Sequence, residues 1–186
     1  MIYFIFLISI IFHELGHILL AKLLRVKIKK VRFKIIGFSA EFEDSISDKN
    51  LRKIFVLFMG PLVNLIIGLI VIGLKNKFKY GNQIIYTNFI LFIINILPVI
   101  PLDGGRILFY ILNLRLNFES AFEIINNISK IFLILISFCY AFIIFVIKNV
   151  EIFFFILYLW YLNIKEEVNF AWYIKINKNV RKYLNL

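Results

Sequence analysis

The chain's only two histidines, His13 and His17, lie in FHELGH, inside an apolar segment at residues 2–24 that is long enough to span a membrane. On a helix this HExxH spacing places both imidazoles on one face, one turn apart, with Glu14 beside them. An ionisable side chain inside a membrane costs about 2.5–3.5 kcal/mol on insertion scales and is usually retained for function. The segment therefore predicts a membrane helix that carries a buried polar site.

Hydrophobic residues make up 62% of the 186-residue chain, more than a soluble globule of this size can bury. The sequence therefore predicts an all-α polytopic membrane protein. We expect about five transmembrane segments, at residues 2–24, 54–74, 84–112, 130–147 and 150–164. The third span is expected to be broken, because PVIPLDGGR contains prolines and glycines that interrupt helical hydrogen bonding. Irregular backbone at membrane depth also predicts a cavity nearby.

Apolar and basic residues alternate with period two in VKIKKVRFKIIGFSAEFED, between the first two segments. This alternation favours strands over a helix, and it predicts a small interfacial β-hairpin near residues 26–43 that turns near Gly37. The edge of such a hairpin is either a template for an extended peptide or a simple surface cap.

The basic residues predict the orientation of the chain in the membrane. Of the 22 Lys and Arg residues, 18 fall on the side that holds the loop at 25–53 and the tail. Cytoplasmic loops carry an excess of basic residues, so the N-terminus is predicted outside and the large basic loop in the cytoplasm. Basic residues that flank apolar segments indicate contact with the lipid bilayer, and we exclude nucleic acid as a partner.

The histidines and one distant aspartate form a candidate metal site. Catalytic zinc is typically held by three protein ligands, with one position left for water. His13 and His17 supply two donors, and Asp103 is the natural third, although Asp-Gly is also a common turn pair. Glu14 is then the natural general base for the water. This pattern predicts one Zn²⁺ per chain and hydrolysis of a peptide bond.

Further polar and small residues accompany the apolar segments. Asn95, in the broken third span, offers a side-chain amide that can help to hold an oxyanion. Gly60 and Asn64 are four residues apart in MGPLVN and therefore share one helix face. We expect both to pack beside the site, with Asn64 in an interhelical hydrogen bond; direct catalysis is the alternative.

Three motifs, HELGH, GPLVN and NILPVIPLDGG, occur in this order and cover roughly residues 9–112. In these motifs the chain resembles the site-2 protease family of intramembrane zinc metalloproteases, most closely its stage IV sporulation protein FB branch. The resemblance implies His13, His17 and Asp103 as zinc ligands and Glu14 as the catalytic base.

The same resemblance implies the remaining site residues and the organisation of the chain. Asn95 and Pro98 fall where the family's Asn-x-x-Pro segment helps to receive the substrate. Residues 1–112 would form the catalytic core, residues 113–164 additional transmembrane helices, and residues 165–186 a cytoplasmic or interfacial tail.

The implied activity is that of an intramembrane metalloendopeptidase in regulated intramembrane proteolysis. Its substrate would be a membrane protein, cut in a membrane-embedded or membrane-proximal segment near the cytosol. The implied location is a bacterial cell membrane. The sporulation branch further implies the membrane around the forespore, the sigma-K precursor as substrate, and inhibitory membrane partners.

Two other classes of function fit part of the pattern. A polytopic metal transporter would use the histidines and Asp103 as a transit site, but it would usually show an internal repeat and polar residues at several depths, and neither is found. A non-catalytic membrane scaffold is weakened because every expected catalytic residue is present.

Overall fold

The computed structural model describes residues 1–26, 28–33, 38–42, 49–74, 77–147 and 150–183. Within these ranges the chain forms six helices and two short strands. In chain order they are α1 (Ile2–Leu23), β1 (Ile28–Phe33), β2 (Phe38–Phe42), α2 (Lys49–Leu74), α3 (Gly81–Ile96), α4 (Asp103–Leu112), α5 (Phe118–Ile147) and α6 (Val150–Tyr183).

The helices bury polar groups and expose large apolar ones, as expected of a protein surrounded by lipid. In α1 the residues that face the interior recur every three or four positions, and Phe4, Leu7 and Leu19 point outward. The interior positions of α1 are Ile5, Ser9, His13, Gly16, His17 and Ala21. The chain is therefore a multi-pass membrane protein with a polar interior.

The prediction of five transmembrane segments is wrong. Among the described residues, three helices are long and apolar enough to cross a membrane: Ile2–Leu23, Leu51–Leu74 and Phe118–Phe142. The predicted fourth segment is part of α5, which begins at Phe118. The predicted fifth is the first half of α6, where only 13 residues separate Glu151 from Lys165. A perpendicular crossing needs about 20 apolar residues, so charges at both ends make this stretch too short.

In place of one broken third span the structure has two helices. α3 contains 16 residues and is shorter than the three candidate spans. Its helix ends at Ile96 because Pro98 disfavours helical backbone at the preceding residue and lacks an N–H group. α4 then begins at Asp103, so the connection at residues 97–102 leads directly into this aspartate.

The region of the expected hairpin is only partly described. β1 and β2 pair antiparallel, with Val31 opposite Ala40, and the register is irregular between Ile28 and Lys30. The turn expected near Gly37 falls at residues 34–37 and lies outside the described residues.

α2 is central, because it packs against α1, α3 and α4. Gly16 allows the close approach of α1 to α2: a Cβ atom there would lie 2.9 Å from Val63 Cγ2 and 3.1 Å from the Met59 carbonyl oxygen. This approach brings the histidine face of α1 against α2.

α5 and α6 hold the connection between α3 and α4. The Ile100 N–H donates to Ser129 Oγ on α5 at 2.9 Å. On α6, Asn163 Nδ2 donates to the Ile100 carbonyl at 3.5 Å and to Asn126 Oδ1 at 3.3 Å. Val99 is fully buried in an apolar cluster with residues of both helices. These contacts fix the backbone that precedes Asp103.

We expect Gly104→Ala to lower the thermal unfolding temperature of the detergent-purified protein. A Cβ atom at this position would collide with the carbonyl oxygens of Ile96 and Leu97, which are backbone atoms and cannot rotate away. Overpacking of this kind costs about 1–3 kcal/mol. Gly73→Ala is the matched control, since its Cβ would meet nothing within 4 Å. Equal unfolding temperatures for the two variants would contradict the close packing of α4 on the connection.

Candidate metal centre

Three side chains that are far apart in sequence meet in the interior of the bundle. His13 and His17 lie one turn apart on the buried face of α1, and Asp103 is the first residue of α4. His13 Nε2 lies 3.0 Å from Asp103 Oδ2, His17 Nε2 lies 3.2 Å from the same oxygen, and the two Nε2 atoms are 3.1 Å apart. All three residues are buried and form a group that could hold a metal ion.

The hydrogen bonds of the two Nδ1 atoms determine whether the two Nε2 atoms carry a proton or a lone pair when the rings are neutral. His17 Nδ1 lies 2.8 Å from the Val56 carbonyl oxygen, which can only accept, so this nitrogen must donate. His13 Nδ1 donates to Asn64 Oδ1 at 2.6 Å. A neutral imidazole carries one N–H, so both Nε2 atoms direct lone pairs towards the centre. With both rings neutral, two lone pairs and a carboxylate oxygen within 3.2 Å repel one another unless a proton or a metal cation lies among them.

Zinc fits this donor set. Zn²⁺ binds imidazole nitrogen and carboxylate oxygen at about 2.0–2.2 Å with tetrahedral geometry, which separates ligand atoms by roughly 3.3 Å. The observed separations of 3.0, 3.1 and 3.2 Å are close to that value. Three protein ligands also leave one tetrahedral position for water, which is typical of catalytic zinc. One ion is accommodated per chain.

Gly60 on α2 provides the space for the ion. A Cβ atom at this position would lie 2.8 Å from His13 Nε2 and closer still to His17 Nε2. Any larger side chain would occupy the space among the ligand atoms. Asn64, one turn further along α2, contacts His13, so Gly60 and Asn64 both lie beside the centre.

Two polar residues that the sequence did not reveal, Ser9 and Asn88, form hydrogen bonds with Asn64. Asn64 Nδ2 donates to the Ser9 carbonyl at 3.3 Å and to Asn88 Oδ1 at 2.8 Å. Asn88 Nδ2 in turn donates to Ser9 Oγ at 3.1 Å. Ser9 could have been found from its position four residues before His13, on the same helix face. Asn88 could have been found only as an isolated amide within the apolar segment of α3.

A cavity of about 230 Å³ adjoins the centre. Polar side chains from four helices line it, and the half-buried Glu14 is among them. The polar lining is His13, Glu14, Asn95, Asp103, Arg106 and Tyr158. Phe155, Leu159 and Leu162 of α6 form an apolar wall.

The two residues of the Asn-x-x-Pro segment differ in their relation to this cavity. Asn95 lines it, and its Nδ2 donates to the Leu91 carbonyl one turn earlier at 3.0 Å. Pro98 is half-buried in the connection and is not among the lining residues, whereas Pro101 is.

Comparison with known proteins reveals clear relatives. The family model described as Peptidase family M50 matches residues 1–81 and 78–136. The chain is 33% identical over 136 residues to a zinc metalloprotease of Methanocaldococcus jannaschii, covering 69% of this chain and 39% of that protein. It is 30% identical over 137 residues to stage IV sporulation protein FB of Bacillus subtilis, covering 70% of this chain and 47% of that protein. The chain thus spans less than half the length of these two relatives.

A solved structure is similar over most of the chain. The site-2 protease from Methanocaldococcus jannaschii superposes with a TM-score of 0.68 at 26% sequence identity. The match covers 88% of this chain and 76% of that structure. The arrangement of helices described above is therefore shared with that protease.

We expect Gly60→Ala to abolish metal binding, because its Cβ would fill the space among the ligand atoms. Zinc content after purification should fall from about one ion per chain to nearly none, as measured by elemental analysis. Gly68→Ala is the matched control on the same helix, since its Cβ would meet the Phe89 ring at 3.1 Å, and a ring can shift. Full zinc content in Gly60→Ala would place the metal elsewhere.

Proposed function

The chain belongs to peptidase family M50, which confirms the resemblance to site-2 proteases, and on this basis we propose that it is an intramembrane zinc metalloendopeptidase. One observation carries the proposal: two imidazole nitrogens and a buried carboxylate oxygen converge within 3.2 Å of one another, beside a cavity that Glu14 also lines. Such a donor set with one open position is suited to hydrolysis.

His13, His17 and Asp103 would hold the zinc ion, and Glu14 would move the protons. When bound, zinc lowers the pKa of a coordinated water and polarises a substrate carbonyl. Glu14 accepts a proton from the attacking water at its carboxylate and passes it to the leaving nitrogen as the peptide bond breaks. Its position next to His13 in the chain and on the wall of the cavity supports this role.

Asn95 and the connection would handle the substrate. The Asn95 side chain lines the cavity, where its amide can bind the scissile carbonyl or the oxyanion derived from it. We assign to Pro98 the indirect role of keeping the connection out of helical conformation, so that its backbone can receive an extended substrate.

The substrate would be a transmembrane or membrane-proximal segment. Phe155, Leu159 and Leu162 give the cavity an apolar wall that suits apolar substrate side chains, opposite the polar groups of α1 and α4. A helical segment must unwind first, since a carbonyl bonded within a helix is not free for attack. Residues 1–112 would form the catalytic core, with residues 113–164 completing its wall and residues 165–186 acting as a tail.

The basic residues on the two sides of α2 support one orientation of the chain in the membrane. Nine Lys and Arg residues lie at 25–53, before the apolar part of α2, and three lie at 75–80, after it. By the excess of basic residues in cytoplasmic loops, the 25–53 loop faces the cytosol and the N-terminus lies outside. The metal centre then lies nearer the cytosolic end of α1.

The similarity to stage IV sporulation protein FB supports a finer proposal. In a spore-forming bacterium the protein would lie in the membrane around the forespore and would cut the sigma-K precursor. Inhibitory membrane partners would restrain it until that stage. Co-production of the protein with a sigma-K precursor, followed by immunoblotting, tests this proposal, and an uncut precursor beside a cleaved model substrate would reject it.

We expect purified protein to cleave a model transmembrane substrate and to lose this activity with a chelator. Glu14→Gln should lower kcat by about 10²–10⁴-fold, because it removes the proton acceptor, while zinc content stays near one ion per chain. His17→Ala should lose both zinc and activity. The exposed Glu119→Gln on α5 is the matched control and should cleave normally.

Two outcomes would contradict the proposal. Wild-type turnover by Glu14→Gln would reject Glu14 as the base. Metal flux through reconstituted vesicles without any cleavage would favour a transporter.

A further inference from the structure

Asn88 is fully buried in α3 and reaches the metal centre only through Asn64. It is not among the residues that line the cavity, so the proposed chemistry gives it no role. A buried amide with no function is costly in a membrane protein, since it must be fully hydrogen-bonded. Asn88 is fully bonded: it accepts at Oδ1 and donates twice at Nδ2.

The direction of these hydrogen bonds is determined by two backbone carbonyls. The Ile84 carbonyl accepts from Asn88 Nδ2 at 2.9 Å, and the Ser9 carbonyl accepts from Asn64 Nδ2 at 3.3 Å. Carbonyl oxygens cannot donate, so both amides must place their nitrogen on these sides. Asn88 therefore turns Oδ1 towards Asn64, and Asn64 turns Oδ1 towards His13.

The orientation of Asn64 decides the tautomer of His13. With Oδ1 facing the ring, Nδ1 must carry the proton, and Nε2 keeps its lone pair for a metal. A reversed amide would offer its NH₂ group to Nδ1 and would favour the tautomer protonated at Nε2, which cannot bind zinc through that atom. The Ser9 carbonyl holds Asn64 at 3.3 Å, whereas Asn88 holds it at 2.8 Å, so Asn88 makes the shorter contact.

We propose that Asn88 is a positioning residue for zinc, which orients the Asn64 amide and through it keeps His13 in the metal-binding tautomer. Ser9 supports this function by accepting from Asn88 at its hydroxyl oxygen. The inference rests on the proposed zinc site, but it concerns hydrogen bonds that form without metal or substrate. It predicts that a residue outside the cavity controls metal affinity.

The first test measures zinc affinity by chelator competition on purified, folded protein. Asn88→Leu should weaken zinc binding about 10–100-fold, the range typical of lost outer partners of metal ligands. Asn88→Asp, whose protonated carboxyl can donate to the Ile84 carbonyl and still offer an acceptor oxygen to Asn64, should retain more affinity than Asn88→Leu. Wild-type affinity in Asn88→Leu would overturn the proposal.

A second background separates orientation from packing. In Asn64→Asp both side-chain oxygens are acceptors. Rotation of this carboxylate therefore always leaves an acceptor facing His13 Nδ1. Adding Asn88→Leu to Asn64→Asp should therefore cost little affinity. An equal loss in both backgrounds would show that Asn88 acts through packing, and would overturn the proposal.

Ser9→Ala offers a milder variant in case Asn88→Leu does not fold. It removes the hydroxyl that accepts from Asn88 and leaves the Ser9 carbonyl in place, so zinc affinity should fall in the same direction. Ser137→Ala is its matched control, because Ser137 Oγ accepts from Trp160 Nε1 in another part of the bundle. Equal losses in these two variants would indicate general loosening and would contradict the proposal.

The tautomer itself can be read by ¹⁵N NMR, independently of catalysis. The chain contains two histidines, so ¹⁵N-histidine labelling yields signals from two rings only. In metal-free protein with neutral rings, Asn88→Leu should shift His13 towards protonation at Nε2. His17 serves as an internal control, because its Nδ1 partner is a backbone carbonyl that cannot reverse. An unchanged His13 would overturn the proposed mechanism even if the protein proved to be an active protease.

Discussion

The central constraint on this protein is the convergence of three electron-rich atoms in an apolar bundle. The Nδ1 hydrogen bonds of His13 and His17 leave both Nε2 lone pairs directed at Asp103. With neutral rings this arrangement is unfavourable, and more so at the low dielectric of the interior, unless a proton or a metal cation lies among the three atoms. A metal ion that replaces the proton would be held by all three atoms.

Small residues and prolines allow the helices to build this arrangement. Gly16 and Gly60 bring α1 and α2 close enough for the histidines to meet the Val56 carbonyl and the Asn64 side chain. Pro98 separates α3 from α4, so that Asp103 can begin a new helix facing α1. Backbone geometry, rather than side-chain flexibility, thus sets the positions of the ligands.

The sequence alone singled out the candidate site residues because ionisable residues are rare in its apolar segments. Glu14, His13, His17 and Asp103 stand out there, and their residue types match zinc chemistry. The number of membrane crossings was not predictable in the same way, since hydropathy alone does not show where a helix begins and ends. α6 continues to Tyr183 past three consecutive charged residues at 165–167. Asn88 was missed because an amide carries no charge and its value depends on a partner in another helix.

The position of Asp103 links the metal centre to α5 and α6, which lie outside the three sequence motifs. The connection before Asp103 is hydrogen-bonded to Ser129 on α5 and to Asn163 on α6, and α6 also forms the apolar wall of the cavity. Displacement of α6 would therefore open the cavity and loosen the backbone that holds the third ligand at the same time. The cavity wall and the backbone before Asp103 are thus coupled through the connection. The Ile100 contact to Ser129, at 2.9 Å, holds the connection to α5 independently of α6.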